Sequence, residues 1–134
     1  MDAGTADTSQ NPSTEKTEDV DSYFSSIAVD RQRARDEAIE VLQAIVDDAS
    51  STEAAKTEAS TQISTLASIM EKESNIETLI MAKGFEECVA VISDGSASIV
   101  VKGEGLTPAQ LAQINEIVYE QASIKPANVK IIER

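Results

Sequence analysis

The stretch ESNIETLIMAKGFEECVAVI, residues 73–92, contains a change from helix to strand. Its first half carries apolar residues at three- and four-residue steps, which is typical of an amphipathic helix. Its second half, CVAVI, is a run of residues suited to a buried strand. Gly84 lies between them, and glycine suits the left-handed conformation that often follows a helix. We therefore predict that the helix ends just before Gly84.

The residues after this transition predict a small sheet. ECVAVIS at 87–93 and ASIVVK at 97–102 are joined by Asp-Gly, a strong hairpin signal. Thr107 is suited to be the N-cap and Pro108 the first residue of a following helix. A last strand is predicted at 128–133. The order α-β-β-α-β predicts an α+β fold, a two-layer unit with a three-stranded sheet, helices on one face and the other face open to water or another molecule.

Upstream of this unit the sequence predicts a long helical hairpin. Apolar residues at helical spacing indicate one helix at 20–49, and SSTE at 50–53 fits a capping box with Ser50 as the N-cap of a second. The short connection favours antiparallel pairing, and part of so long a hairpin should project as an arm. A further capping pattern, SNIE at 74–77, leaves open whether the helix breaks or kinks near Ser74.

Three segments follow from this pattern. Residues 1–19 are polar with almost nothing to bury, so they are predicted to be a disordered linker. Residues 20–73 are assigned to the helical hairpin arm and residues 74–134 to the α-β-β-α-β domain.

Composition argues against catalysis and against nucleic acid. The 134 residues carry a formal net charge of −13, which opposes binding to phosphate backbones. Histidine is absent, which removes the commonest metal ligand and the usual general base. Cys88 is the single cysteine and is expected to be buried and inert. We predict no enzyme activity, no cofactor and no metal site.

Two stretches are candidates for a partner interface. Arg31, Arg33 and Arg35 concentrate positive charge in an acidic chain, so they form either a solvated helix face or a docking patch for an acidic partner. The strand Ala97–Val101 is either central and buried or a free apolar edge that a partner strand covers. Its members are Ala97, Ser98, Ile99, Val100 and Val101.

One loop carries a weak nucleic-acid signal. The α-β-β-α-β order is shared with one class of KH domains, which need a GxxG loop and a basic groove. Here GEG at 103–105 is one residue short and acidic. A turn is the better interpretation of this loop, although two glycines before a helix could hold an anion.

The stretch EKESNIETLIMAKGFEECVAVISDGSASIVVKG, together with the helix LTPAQLAQINEIV, resembles the stage III sporulation protein AH family of endospore-forming bacteria. The likeness extends more loosely to RQRARDEAIEVLQAI and covers about residues 20–134. It implies a fold similar to the ring-building motif of type III secretion ring proteins. It also implies an extracytoplasmic domain held in the mother-cell membrane by an anchor upstream of this chain.

The same resemblance implies a partner and a role. The expected partner is the forespore protein called stage II sporulation protein Q, met across the space between mother cell and forespore. The expected role is structural, as part of a ring or channel, with a homo-oligomeric ring as one possibility. The alternatives are a generic acidic extracytoplasmic adaptor and, well behind, a KH-like nucleic-acid-binding domain.

Overall fold

A computed structural model describes residues 12–134 of the chain. Its elements are three α-helices, α1 (Pro12–Asp47), α2 (Glu53–Met81) and α3 (Pro108–Ala122), and three strands, β1 (Cys88–Ser93), β2 (Ser96–Val101) and β3 (Val129–Glu133). A short 3-10 turn, Pro126–Asn128, precedes β3. The α+β class, the order α-β-β-α-β and the preceding helical hairpin are confirmed.

Side chains cap the N-termini of α2 and α3, and the prediction was correct for α3 but not for α2. Thr107 caps α3 in a full capping box with Gln110, and Pro108 opens the helix, as predicted. The predicted N-cap of α2 at Ser50 is wrong: Thr52 caps it by accepting a hydrogen bond from the N–H of Ala55. Asp48 instead accepts hydrogen bonds from Ser50, which places Ser50 in the turn between the helices.

The second helix continues past Ser74 and ends near the predicted position. α2 runs unbroken through Ser74, which answers the question left open by the SNIE pattern. Ala82 is the C-cap, and Gly84 lies two residues beyond it with a φ of 111°. The N–H of Gly84 donates to the carbonyl of Met81, which closes the last turn. The positive φ expected of Gly84 is confirmed.

The sheet has the order β1-β2-β3, which places β2 at its centre. β1 and β2 pair in antiparallel fashion through the Asp94–Gly95 turn, and β2 and β3 pair in parallel. A parallel pair needs a crossover, and α3 supplies it. Since the crossover returns the chain to the open side of β2, the alternative of a free edge at Ala97–Val101 is wrong, and the alternative of a central, buried strand is confirmed.

The main core lies between the sheet and two helices. Alternate strand residues, such as Ala90, Ile99 and Val101, point to this side and meet Ile76 and Ile80 of α2 together with α3. The α3 residues Ile114, Ile117 and Val118 are also buried in it. Period-two strand faces and period-3.6 helix faces thus meet as the sequence pattern requires.

The opposite face of the sheet is covered by α1, so the expectation that it meets water or another molecule is wrong. Phe24 is 2% exposed and packs with Val89 and Val100, flanked by Tyr23 and Ile132 among others. The ring of Tyr23 meets that of Phe24 edge to face. Because α1 adds this layer, the domain has helix on both faces rather than two layers.

The proposed segment boundaries change accordingly. Residues 1–11 of the predicted linker lie outside the described residues, whereas residues 12–19 belong to α1, so the linker prediction is wrong for them. A boundary at 73/74 would divide α2 and separate α1 from the sheet that it covers. Only the distal part of the hairpin fits the predicted arm: within residues 53–72 of α2, Ala59 alone is buried.

Candidate functional site

The three arginines of α1 do not form one patch. Arg33 points outward, 62% exposed, and meets only Asp30 on its own helix at 3.3 Å among the described residues. Arg31 and Arg35 turn inward, with 19% and 12% of their side chains exposed. The docking interpretation therefore remains open for Arg33, while the other two have partners inside the fold.

Arg35 joins α1 to α2 and to the outer edge of β1. Its Nη1 and Nη2 donate to Oε1 and Oε2 of Glu73 at 3.0 and 2.9 Å, a two-point ion pair. Nη2 also donates to the carbonyl of Ile92 at 3.2 Å. Glu73, 2% exposed, accepts the N–H of Ile92 at 2.8 Å. One ion pair thus satisfies both peptide groups of a single strand residue.

Arg31 repeats the arrangement one helical turn earlier. Its Nη1 donates to Oε2 of Glu77 at 2.7 Å and to the carbonyl of Ala90. Glu77 Oε2 accepts the N–H of Ala90 at 2.8 Å. Arg31 also lies 3.8 Å from Glu73, which links the two pairs. We call Arg31, Arg35, Glu73 and Glu77 the edge clamp.

The spacing of the edge clamp follows from helix and strand geometry. Residues four apart in an α-helix rise about 6 Å. Residues two apart in an antiparallel strand rise about 6.8 Å. Side chains four residues apart on each helix therefore have nearly the same spacing as Ala90 and Ile92, which are two residues apart on β1. Neither Glu73 nor Glu77 was a candidate from sequence, although their four-residue spacing, equal to that of Arg31 and Arg35, was a readable signal.

The strand Ala97–Val101 offers little surface to a partner. Ala97, Ile99, Val100 and Val101 are at most 3% exposed, and Ser98 is half-buried. Both sides of β2 are paired in the sheet. The interface expected at this strand as a free edge is therefore wrong.

The GEG loop meets a carboxylate from within the chain. Oε1 of Glu133 accepts the N–H groups of Gly105 and Leu106 at 2.7 and 3.3 Å. The anion-holding geometry considered for this loop thus exists, but β3 supplies the anion. A nucleic-acid phosphate would have to displace it.

A shallow groove lies beside this loop. Lys102 projects into it and pairs with Glu86 at 3.1 Å and Asp21 at 3.6 Å. The hydrogen bond that Lys102 donates to the Glu86 carboxylate raises the pKa of Lys102. The guanidinium of Arg134 lies 4.8 Å over the ring of Tyr23. Both cations contact residues of α1 or of the 82–87 connection. The groove therefore lies where α1 meets the sheet.

Cys88 is placed as expected. The residue is 5% exposed, and burial, helped by the nearby Glu77 carboxylate, raises the pKa of its thiol to about 12. A thiol with such a pKa is not a nucleophile near neutral pH. Within residues 19–134, no cluster of three or more acidic or cysteine side chains is arranged to hold a metal ion. No helix in the same range is long and apolar enough to span a bilayer.

The model of one protein family, described as SpoIIIAH-like protein, matches residues 2–131. The chain belongs to the SpoIIIAH-like family. A solved chain from the SpoIIQ–SpoIIIAH pore-forming complex is similar to it, with 26% sequence identity and a TM-score of 0.76. The similarity covers 84% of this chain and 96% of that chain. No protein with a curated description matches significantly. The family indicated by the stretch at residues 71–103 is thereby confirmed.

Proposed function

We propose that this chain is a structural component of a sporulation pore or channel complex and that it binds a SpoIIQ-like protein of the forespore. The observation that carries the proposal is the combined match: the family model spans residues 2–131, and the similar solved chain comes from the SpoIIQ–SpoIIIAH pore-forming complex. The near-complete coverage of that chain means that the whole domain is shared, rather than one common motif.

The physical character of the domain supports a structural role. A subunit that holds two membranes in register needs rigid faces, and here helices cover both faces of the sheet. Arg31 and Arg35 tie the first helix to the second and to β1. The single thiol is buried with a raised pKa, so it does not supply reactive chemistry. We therefore assign no catalytic activity to the chain.

The place of action follows from the same proposal. The domain would lie outside the mother-cell cytoplasm, in the space between mother cell and forespore, held there by an anchor upstream of these residues. A homo-oligomeric ring would be built from copies of the domain around the partner. The charge of −13 opposes association without the partner, so the isolated chain is expected to be monomeric.

A generic acidic adaptor is the alternative, and nucleic-acid binding is disfavoured by contacts in the structure. A KH-type groove needs a free backbone loop and basic side chains, whereas the GEG loop is bonded to Glu133 and Lys102 is paired with acidic residues. Weak binding of single-stranded nucleic acid at low salt would support a nucleic-acid-binding function instead.

The test is direct mixing with the extracytoplasmic domain of a SpoIIQ protein from the same organism. At about 20 μM of each protein, size-exclusion chromatography with light scattering is expected to show a new peak containing both. An equal amount of lysozyme serves as the control for non-specific attraction to an acidic chain. A complex with lysozyme but not with the SpoIIQ domain, or no complex at all, would contradict the proposal.

Arg33 remains the candidate for the docking patch. As the exposed member of the three arginines, it is free to meet an acidic partner surface without loss of an internal contact beyond Asp30. Arg33→Glu is expected to weaken the complex about tenfold or more if Arg33 lies in the interface. Lys83→Glu, an equal charge change at an exposed residue just past the C-terminal end of α2, is the matched control. Equal affinities for both variants would remove Arg33 from the interface.

A further inference from the structure

The two edge strands of the sheet, β1 and β3, each have peptide groups that point away from the sheet. The carbonyl of Glu87 accepts the N–H of Lys102, so Glu87 faces β2. Because every second residue of an antiparallel strand bonds the same neighbour, the peptide groups of Ala90 and Ile92 point away from β2. Arg134, the residue after β3, donates its N–H to the carbonyl of Val101 and accepts the N–H of Gly103, just past the end of β2. By the same alternation, the peptide groups of Ile131 and Glu133 point away from the sheet.

The β1 edge is closed by side chains. The N–H groups of Ala90 and Ile92 donate to Glu77 and Glu73, and their carbonyls accept from Arg31 and Arg35. Each carboxylate takes the place of a neighbouring strand's carbonyl, and each guanidinium takes the place of its N–H. A strand cannot add to β1 here without displacing both ion pairs.

The β3 edge has no such cover among the described residues. No hydrogen bond from a helix or loop of residues 19–134 reaches the outward peptide groups of Ile131 or Glu133. The side chain of Glu133 is turned to the GEG loop. An uncovered edge is a template for pairing with another chain.

We propose that the edge clamp is a seal that prevents a second copy of this chain from adding its β3 edge to β1. A sheet open at both edges would extend head to tail: β3 of each copy beside β1 of the next. Such contacts are heterologous and yield open filaments unless a rotation closes them. With the seal in place, only β3 is available and head-to-tail growth cannot begin. This inference rests on the sheet geometry alone and is independent of the proposed function.

A second copy of this chain is the expected partner for β1 once the ion pairs of the edge clamp have been removed. β1 has six residues and β3 has five, so the edges match in length. The sequence of β1, CVAVIS, carries no charge, so Lys130 and Glu133 of an incoming β3 would meet no like charge on it. The charge of −13 on each copy is the remaining obstacle, and salt weakens it. Association through an opened edge should therefore strengthen with salt.

The test replaces ion pairs by apolar side chains of similar size. Arg35→Met with Glu73→Met opens the groups of Ile92, and Arg31→Met with Glu77→Met opens those of Ala90. Replacing both partners avoids a stranded buried charge, and such exchanges often leave stability intact. The second pair, at 19% and 16% exposure, is the milder change. Arg33→Met, on the same helix but exposed, is the matched control.

Sedimentation velocity at about 100 μM protein and 0.5 M NaCl measures the association state of each variant. Circular dichroism confirms that its helices are intact. Wild type and Arg33→Met are expected to be monomeric, while the fourfold variant that combines both exchanges forms dimers and longer species whose share rises with salt. A fourfold variant that keeps its helices and stays monomeric overturns the proposal.

Amide exchange in the wild-type monomer tests the seal without any variant. The amides of Ala90 and Ile92 are expected to exchange at least tenfold more slowly than those of Ile131 and Glu133, although both strands lie at edges. Comparable rates at the two edges would show that β1 is not sealed. In the associated fourfold variant, the amide of Ile131 is expected to become protected; an unchanged Ile131 would exclude β3 as the strand that adds.

Discussion

Arg35 and Glu73 lie 38 residues apart in sequence, yet each guanidinium nitrogen of one faces one carboxylate oxygen of the other at 3.0 and 2.9 Å. The same two side chains bond both peptide groups of Ile92. Such a buried pair is costly to desolvate, so its value lies in fixing one arrangement of α1, α2 and β1. Together with the packing of Phe24 on the sheet, it holds the first helix in the domain.

Gly84 is predicted to be needed for its backbone conformation. Its φ of 111° is unfavourable for a residue with a side chain, and a Cβ built there meets no atom within 4 Å. Gly84→Ala and Gly84→Val should therefore destabilise the fold by similar amounts, about 1 kcal/mol or more. Urea denaturation followed by circular dichroism measures this. A much larger loss for valine than for alanine would point to a steric clash instead of backbone strain.

Thr107 is predicted to stabilise α3 through its hydroxyl group. The hydroxyl accepts the N–H of Gln110 at 3.1 Å, and the Gln110 side chain accepts the N–H of Thr107 at 2.9 Å. Thr107→Ala should lower the free energy of unfolding by about 1 kcal/mol, while Thr107→Ser should retain most of it. If both variants lose the same amount in urea, the capping hydroxyl is not the source of the stability.

Cys88 is predicted to react only when the protein unfolds. Its thiol is buried and its pKa is raised from 9.0 to about 12. At pH 8.5, alkylation by iodoacetamide should be on the order of 100-fold slower in the native protein than in 6 M urea. A native rate near that of the unfolded chain would show that the thiol is exposed.

The same shift has a consequence at high pH. Because the folded state holds the pKa of the Cys88 thiol above its unfolded value, this contribution to stability is complete below about pH 9 and is lost as pH rises towards 12. The urea midpoint should therefore fall more between pH 8 and pH 11 for the wild type than for Cys88→Ala. Equal declines would show that the thiol does not titrate differently in the two states.

Local signals in the sequence were sufficient for most of the sheet and for α3. The Asp-Gly turn, the Thr107–Pro108 start and the apolar run CVAVI are each decided by residues close in the chain, and the structure has them as predicted. The helix end near Gly84 is of the same kind. The N-cap of α2 was misassigned because SSTE contains three adjacent hydroxyl residues, and only tertiary geometry selects Thr52.

Long-range pairing could not be obtained in the same way. The position of β3 depends on which side of the hairpin the crossover returns to, and a single sequence does not contain that choice. The apolar stripe of α1 showed that it has a buried face but not what covers it, so Phe24 was not placed against Val89 and Val100. Arg31 and Arg35 looked like surface charge because their partners lie on another helix.

The coupling between Arg35 and Glu73 is the most direct measure of how α1 is held in the domain. A double-mutant cycle uses Arg35→Met, Glu73→Met and the double variant, with free energies of unfolding from urea denaturation. Each single change strands a buried charge and should cost about 3 kcal/mol, while the double variant should cost much less than the sum, giving a coupling energy of about 2 kcal/mol or more. Additive losses, with a coupling energy near zero, would contradict a clamp that joins α1 to α2 at the edge of β1.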